Sequence, residues 1–191
     1  MANPANFMNR KLAAAGALLL LAALLYRAEA KAKEPLRVVP SVDFSRYAGL
    51  WYEVARLPNR FEKKCAADVT AEYTPREDGR IRVVNSCRRQ DGKLTKAEGV
   101  ARRADREGPN SRLKVRFAPA FLSFLPAVWG DYQILELAPD YSHAVVGSPD
   151  RKYLWILART PRMDEATYQR LTEAAAAQGF DVSRMLRTKH G

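Results

Sequence analysis

Short segments in which apolar and polar residues alternate recur along the chain from residue 49 to residue 159. In the clearest of them, Leu113, Val115 and Phe117 alternate with two basic residues, as in a strand with one buried face. Turn dipeptides such as Asp78-Gly79 separate the segments, since Asp-Gly tolerates the positive φ angles of hairpin turns. The pattern predicts eight strands, at approximately 49–57, 68–75, 80–87, 94–102, 111–117, 130–137, 142–147 and 153–159.

Beyond residue 160 the spacing of apolar residues changes to that of a helix. Asp164 is a favourable N-cap, and Gly179 is a favourable C-terminal stop. One helix is therefore expected, and the segment after it, with Phe180, Val182 and Met185, predicts a last extended stretch that packs on the domain. The apolar stripe of the helix consists of Tyr168, Leu171, Ala174 and Ala175.

The order of these elements predicts the fold class. No long linker interrupts residues 49–186, so the strands are expected to be connected as hairpins. Eight such strands favour an all-β fold, an antiparallel up-and-down barrel that closes on itself and leaves no open sheet edge. The single C-terminal helix would pack outside the barrel. An open β-sandwich is the alternative that the pattern alone leaves open.

Residues 1–30 are predicted to be a secretory signal peptide. Basic residues precede the apolar run Leu12 to Leu25, which is 14 residues long, whereas a membrane-spanning helix needs roughly 20. Ala28-Glu29-Ala30 then provides a small-residue cleavage signal before Lys31. Residues 31–191 would form a single domain in an exported protein. An uncleaved N-terminal anchor is the alternative.

The composition is that of a globular protein and narrows the choice of partners. Of the 191 residues, 47% are hydrophobic and 28% are charged, which excludes a collagen-like repeat and a polytopic membrane protein. The formal charge of +11 favours anionic partners. Export argues against nucleic acid and leaves phospholipid headgroups and plain solubility as the two explanations of this charge.

The two cysteines, Cys65 and Cys87, are expected just before the second strand and at the end of the third. These positions lie at the same end of an up-and-down barrel, and an exported chain permits disulfides. Pairing of the only two cysteines is therefore predicted. The alternative is a reactive thiol, as a lipid-modifying enzyme could use.

Three short motifs resemble the signatures of the lipocalin family. They are Gly49-Leu50-Trp51-Tyr52-Glu53 at the first strand, Asp140-Tyr141 between the sixth and seventh strands, and Arg159 at the end of the eighth. The resemblance is greatest to the bacterial outer-membrane lipocalins and extends over residues 40–187, with near counterparts of Trp51 to Arg56, Phe61-Glu62, Pro149 to Leu157 and Gly179 to Ser183.

The resemblance implies a barrel around a cavity for apolar ligands and, in the bacterial subgroup, binding of fatty acids or lysophospholipids. In the family one end is closed by the Trp with the Arg stacked on it. An architectural role is therefore implied for Gly49, Trp51, Asp140, Tyr141 and Arg159. The chain departs from the bacterial subgroup because no cysteine precedes Cys65, so a lipoprotein anchor is not expected.

The opposite end of the barrel is predicted to be the mouth, formed by the connections 58–67, 88–93, 118–129 and 148–152. The third connection contains no charged residue. The other three carry eight basic residues against three acidic ones, namely Arg60, Lys63, Lys64, Arg88, Arg89, Lys93, Arg151 and Lys152 against Glu62, Asp91 and Asp150. This combination favours an amphiphile with an anionic head. The alternative is an inward-folded core loop beside an ordinary solvated surface.

Alternation along the strands selects the residues that would face the cavity. Leu57 is placed on the interior face with Trp51 by this counting. Glu53, Asn85 and Tyr153 are the candidates to meet a polar head. The predicted ligand-binding set is Glu53, Tyr73, Asn85, Phe117, Phe121, Phe124, Tyr132, Tyr153 and Trp155.

No catalytic or metal-binding constellation is visible in the sequence. His143 and His190 do not form a ligand pattern, and neither a nucleophile elbow nor a phosphate-binding loop occurs. The chain is therefore predicted to be a non-enzymatic lipid carrier without a cofactor, acting as a monomer or weak homodimer in the periplasm or at the outer membrane. A thiol-dependent lipid-modifying enzyme and a tetrapyrrole binder are the alternatives.

Overall fold

The computed structural model describes residues 34–191, so the predicted signal peptide and its cleavage site lie outside the described residues. Within this range the chain forms nine strands and two α-helices. The helices are α1 (Phe44–Tyr47) and α2 (Glu165–Ala177). The strands are β1 (Gly49–Arg56), β2 (Cys65–Pro75), β3 (Ile81–Arg89), β4 (Leu94–Arg103), β5 (Arg112–Arg116), β6 (Gly130–Leu137), β7 (His143–Gly147), β8 (Leu154–Ala158) and β9 (Leu186–Arg187).

The first eight strands close into an antiparallel barrel. Each strand from β1 to β7 pairs with the next one along the chain, and β8 pairs back with β1. Since β1 has partners on both edges, the sheet closes, which confirms the up-and-down barrel and contradicts the open sandwich. No helix in residues 34–191 is long and apolar enough to cross a membrane.

The seam between β1 and β2 is short and is completed by the C-terminal segment. β1 pairs with β2 only over Gly49 to Tyr52. Beyond that point Ala55 and Arg56 pair with β9, and Thr188 N donates to the carbonyl oxygen of Val54. The sequence predicts an extended stretch near here, but the 3₁₀ turn Val182–Arg184 precedes a strand of only two residues.

Two hydrophobic cores lie on either side of the barrel wall. The interior core contains Trp51, Tyr73 and Ile134. The outer core packs α2 on the wall through Leu171 and Ala175, as the apolar stripe predicts. Asp164 accepts a hydrogen bond from Thr167 N at 2.9 Å as the N-cap.

Leu57 belongs to the outer core, so its predicted interior position is wrong. The cause is a β-bulge, since Glu53 pairs with Leu157 but Ala55 pairs with the adjacent Ile156. The extra residue reverses the alternation beyond it. The same reversal turns Arg56 towards the interior, where it contacts Glu53.

Cys65 and Cys87 form a disulfide between β2 and β3, as predicted. Cys65 is the first residue of β2 rather than a loop residue before it. The bond closes a loop of sequence separation 22 and ties together two strand ends at the mouth. It therefore holds the mouth end of these strands through a covalent link in addition to backbone hydrogen bonds.

Replacing both cysteines by serine is expected to lower the free energy of unfolding by about 3 kcal/mol, because the unfolded chain regains the entropy of the open loop. Urea unfolding of the oxidised parent and of the double variant measures the difference. The parent unfolded in reductant is the matched control and should coincide with the variant. Equal stability of the oxidised parent and the variant would contradict the expectation.

Candidate functional site

One end of the barrel is closed by Trp51 and Arg159. Trp51 is fully buried, and its Nε1 donates to the carbonyl oxygen of Tyr47 at 2.8 Å. The guanidinium carbon of Arg159 lies 4.0 Å from the centroid of the Trp51 ring. This contact combines packing with a cation–π attraction at a partly desolvated site.

Backbone contacts fix Arg159 in this position. Its Nη1 donates to the carbonyl oxygen of Leu50 at 2.8 Å, and its Nη2 donates to that of Arg46 at 2.7 Å. Gly49 has a φ of +91°, and a Cβ there would lie 3.6 Å from Arg159 Nη1. Glycine therefore permits the left-handed backbone that begins β1 beneath the guanidinium.

Asp140 and Tyr141 form the turn between β6 and β7 at this same end. Asp140 Oδ1 accepts from Ser142 N at 2.9 Å, and Tyr141 has a φ of +64°. The Tyr141 hydroxyl accepts from Asp43 N at 2.9 Å, which attaches α1 to the turn. All five residues of the predicted architectural set therefore lie together at the closed end.

Three tyrosines fill the interior above Trp51. The hydroxyl of Tyr132 lies 2.8 Å from the hydroxyls of both Tyr47 and Tyr73. Burial raises the pKa of Tyr73 to about 12 and also raises the pKa values of the other two phenols. The three groups stay neutral and satisfy one another, so this part of the barrel is filled by the chain's own side chains.

A buried cluster of charges lies on the inner wall nearer the mouth. Arg56 Nη1 lies 2.6 Å from Glu53 Oε1, and Arg56 Nε lies 3.1 Å from Glu62 Oε2. The side chains of Arg56, Glu53 and Glu62 are only 12%, 2% and 15% exposed. Thr188, from the segment after β9, donates its hydroxyl to Glu53. One guanidinium therefore serves two carboxyl groups.

This excess of carboxyl groups changes the protonation of Glu53. Burial, followed by the negative charge of Glu62, raises the pKa of Glu53 from 4.5 to about 8, although Arg56 and Thr188 oppose the shift. Near neutral pH the cluster therefore holds a proton on Glu53. The charges of Arg56 and Glu62 then balance.

Three aromatic rings form a ladder beside the charge cluster. Trp155 stacks on Tyr153 with 5.9 Å between centroids and 9° between planes, and Phe61 lies 5.4 Å from Tyr153. Trp155 packs against the interior core, and its Nε1 lies 3.3 Å from both oxygens of Glu62. The predicted residues Glu53, Tyr153 and Trp155 are therefore gathered near the mouth.

Asn85 and Phe117 lie on the wall formed by β3, β4 and β5. The side-chain oxygen of Asn85 is buried and has no hydrogen-bond partner among the described residues. Phe117 is half-exposed, and its ring lies against Gly99, where a Cβ would come within 2.7 Å of the ring. A buried acceptor without a partner marks a place where a hydroxyl or water could donate.

The uncharged connection 118–129 does not fold into the interior. It forms two 3₁₀ turns, Ala120–Leu122 and Pro126–Val128, and leaves Phe121 and Phe124 74% and 75% exposed. Trp129 anchors its end, with the guanidinium carbon of Arg102 4.2 Å from the ring centroid. The two phenylalanines therefore do not line the interior, and Phe124 borders a cleft on the outer wall together with Arg102 and Lys114.

Ion pairs neutralise part of the predicted basic rim. Arg88 pairs with Asp68, Arg89 with Asp91, and Lys152 with Asp150. The described surface has an open cleft of about 340 Å³ outside the wall, between the segments 57–60, 151–153 and 181–184. Its basic side chains are those of Arg60, Arg151, Lys152 and Arg184.

Sequence reasoning missed Arg56, Glu62, Asn59 and Thr188 as site residues. Regular alternation places Arg56 outside, because nothing in the sequence marks the bulge. Glu62 lies in a connection without periodicity, and its only signal was the resemblance of Phe61-Glu62 to the bacterial lipocalins. Thr188 reaches Glu53 only through the unexpected pairing of β9.

Comparison with known sequences decides the family. The family description "Lipocalin-like domain" matches residues 42–190, which includes every strand of the barrel. The chain belongs to the lipocalin family. Lipocalins bind small hydrophobic ligands and in general act as carriers, so this lipocalin is a binding protein for such ligands.

Relatives of this lipocalin include plant and bacterial proteins. It is 44% identical over 157 residues to temperature-induced lipocalin-1 of Arabidopsis thaliana, with 82% of this chain and 83% of the relative covered. It is 38% identical over 150 residues to the outer membrane lipoprotein Blc of Escherichia coli strain K12, with 78% and 80% covered. Insecticyanin of the tobacco hornworm Manduca sexta has the same fold, with a TM-score of 0.63, 21% identity and coverage of 83% of this chain and 86% of that one.

The cysteines and histidines among the described residues bear on the two alternatives, a thiol-dependent enzyme and a tetrapyrrole binder. Both cysteines are in the disulfide, so neither is a free thiol. His143 Nε2 lies 3.0 Å from Arg170 on α2, and His190 contacts the backbone of Glu53. No group of three or more potential metal ligands occurs within residues 34–191.

Glu53→Gln is expected to flatten the dependence of stability on pH. Because the pKa of Glu53 is raised to about 8, the folded protein keeps a proton that the unfolded chain releases above about pH 4.5. The contribution of Glu53 to the free energy of unfolding therefore falls as pH rises from about 5 to 8, and the glutamine variant lacks it.

Urea unfolding at several pH values measures this effect as the difference between parent and variant. Glu72→Gln, at an exposed position of β2, is the matched control and should keep the parental slope. The same slope in the parent and in Glu53→Gln would show that Glu53 does not hold the proton.

Proposed function

We propose that this lipocalin is a lipid carrier of the bacterial cell envelope, which binds fatty acids or lysophospholipids in its barrel for the transport or maintenance of membrane lipids. The observation that carries the proposal is the mouth itself. The exposed ring of Phe61, the aromatic ladder that leads from it to Trp155, and a buried arginine lie at the same end of the barrel. An acyl chain with a polar head matches this combination.

The acyl chain of the ligand would lie in the upper part of the barrel, near the mouth, rather than along its whole length. The tyrosines above Trp51 occupy the lower part, whereas Trp155 and Phe117 retain exposed surface above them. Asn85, with its unpartnered oxygen, gives this region one polar position. Entry of an acyl chain therefore requires side chains at the mouth to move, which a ligand that buries many methylene groups can drive.

The exposed connection supports contact with a membrane surface. Phe121 and Phe124 project from a loop without charge, and the basic residues Arg102 and Lys114 line the cleft that Phe124 borders. Apolar side chains beside cations match the acyl and headgroup layers of an anionic bilayer. The partner of this surface would be a phospholipid membrane rather than nucleic acid.

Export to the periplasm is part of the proposal. The disulfide is typical of proteins from oxidising compartments, and the relatives include outer membrane lipoproteins. The proposed association with the outer membrane would involve the exposed loop that carries Phe121 and Phe124. A monomer or a weak homodimer is compatible with this role.

Neither alternative function gains support from the site. A thiol-dependent enzyme lacks its nucleophile while Cys65 and Cys87 are bonded. A haem-type tetrapyrrole would need an axial ligand, but His143 contacts α2 outside the wall. The likeness to insecticyanin, at 21% identity, concerns the fold alone.

Palmitate is expected to quench the fluorescence of the delipidated protein saturably. About 15 methylene groups at roughly 0.8 kcal/mol each, less the cost of association, give a Kd of about 1 µM or tighter. Trp155→Phe should lose most of the fluorescence change, whereas Trp129→Phe, outside the wall, should keep it. Absence of saturable binding of palmitate and of lysophospholipid would refute the carrier function.

Phe121→Ser combined with Phe124→Ser is expected to weaken binding to phosphatidylglycerol vesicles by at least about tenfold, because two apolar side chains no longer enter the bilayer. Co-sedimentation at low salt measures this binding. The control is Leu50→Ser, which changes a half-exposed apolar side chain at the closed end. Equal loss in the control would contradict docking through this loop.

A further inference from the structure

The carboxylate of Glu62 occupies a site built from hydrogen-bond donors on the inner wall. Arg56 Nε lies 3.1 Å and Asn59 Nδ2 lies 2.7 Å from Glu62 Oε2. The indole Nε1 of Trp155 lies 3.3 Å from each carboxylate oxygen. A guanidinium, an amide and an indole therefore converge on one carboxylate near the mouth.

The position of Glu62 is not required by its own connection. The turn at residues 59–62 is already held by Asn59 Oδ1, which accepts from the backbone nitrogens of Phe61 and Glu62 at 3.0 Å each. Arg56 also contacts Glu53 at 2.6 Å, but Glu53 holds a proton near neutral pH, so Glu62 supplies the negative charge that balances the guanidinium. Glu62 is thus a second carboxyl group on one guanidinium, and both are largely removed from water.

The location of this carboxylate matches the end of a bound amphiphile. Trp155 packs against the interior core on one side and meets Glu62 through its indole nitrogen. An acyl chain lying along Trp155 in the upper barrel would place its head where the carboxylate of Glu62 now lies. Replacing one carboxylate by another keeps the charge balance of the buried cluster.

We propose that Arg56, Asn59 and Trp155 form a receptor for the carboxylate of a fatty acid, and that Glu62 is an internal stand-in which the ligand displaces. The inference rests on the proposed function and narrows its ligand to an acyl chain with a carboxylate head. On binding, the carboxylate of Glu62 leaves for solvent and the ligand takes its donors. A neutral lipid of the same length cannot replace these charge-assisted bonds, so it gains less.

The test compares palmitate with hexadecanol, which has the same chain length and no charge. Glu62→Gln removes the charged competitor. The affinity for palmitate should therefore rise about tenfold, which corresponds to one hydrogen bond to a charged group. The affinity for hexadecanol should stay within about twofold of the parental value. Combining Arg56→Gln with Glu62→Gln removes the receptor charge without leaving Glu62 ionised beside it. This double variant should bind both ligands about equally.

Arg80→Gln is the matched control, because it removes an exposed cation from the turn between β2 and β3, at the closed end, without touching the cluster. The guanidinium of Arg80 lies 3.9 Å from Asp78 in that turn. The control should keep the parental preference for palmitate. Isothermal titration of delipidated protein gives the affinities, and thermal unfolding checks that each variant folds.

Three results would overturn the inference. Equal gains for palmitate and hexadecanol in Glu62→Gln would make Glu62 only a steric cover. A preference for palmitate that survives in the double variant would place the head elsewhere. A larger gain for lysophosphatidylethanolamine than for palmitate would assign the receptor to a phosphate. Failure of the proposed function is distinct, because then neither palmitate nor hexadecanol binds the parent or any variant.

Discussion

Closure of the sheet on itself is the constraint on which the rest of the structure depends. β1 pairs with β8 on one edge and with β2 on the other, so no strand of the barrel is left with an open edge. Closure also divides every strand into an inner and an outer face. The tyrosines and the charge cluster lie inside because of it, and α2 can cover only the outside.

The two ends of the barrel use arginine in opposite ways. At the closed end, Arg159 is fixed by backbone carbonyl oxygens and the Trp51 ring, none of which carries a full charge. At the mouth, Arg56 is shared by Glu53 and Glu62. The mouth cluster therefore holds two carboxyl groups on one cation, and Glu53 keeps a proton near neutral pH.

Much of the fold could be predicted from the sequence because it depends on local patterns. The bounds of β6 agree to the residue, and the helix begins after Asp164, since both segments have a clear period. The disulfide was predictable from cysteine count and topology. The bulge near Val54 was not, because it is set by the register with β8, about a hundred residues away along the chain. Glu62 was missed as a site residue because a side chain in a connection has no periodicity to orient it.

The short seam between β1 and β2 has a consequence for biogenesis. Strands β1 and β2 share four residue pairs, and residues 186–188 supply the remaining contacts along β1. A chain that emerges N-terminus first therefore completes all eight strands of the barrel before it releases the segment that closes this seam. Until those residues are available, the seam between β1 and β2 stays partly unpaired near Glu53. Completion of the seam and burial of the Glu53 carboxyl group are therefore expected in the same late step of folding.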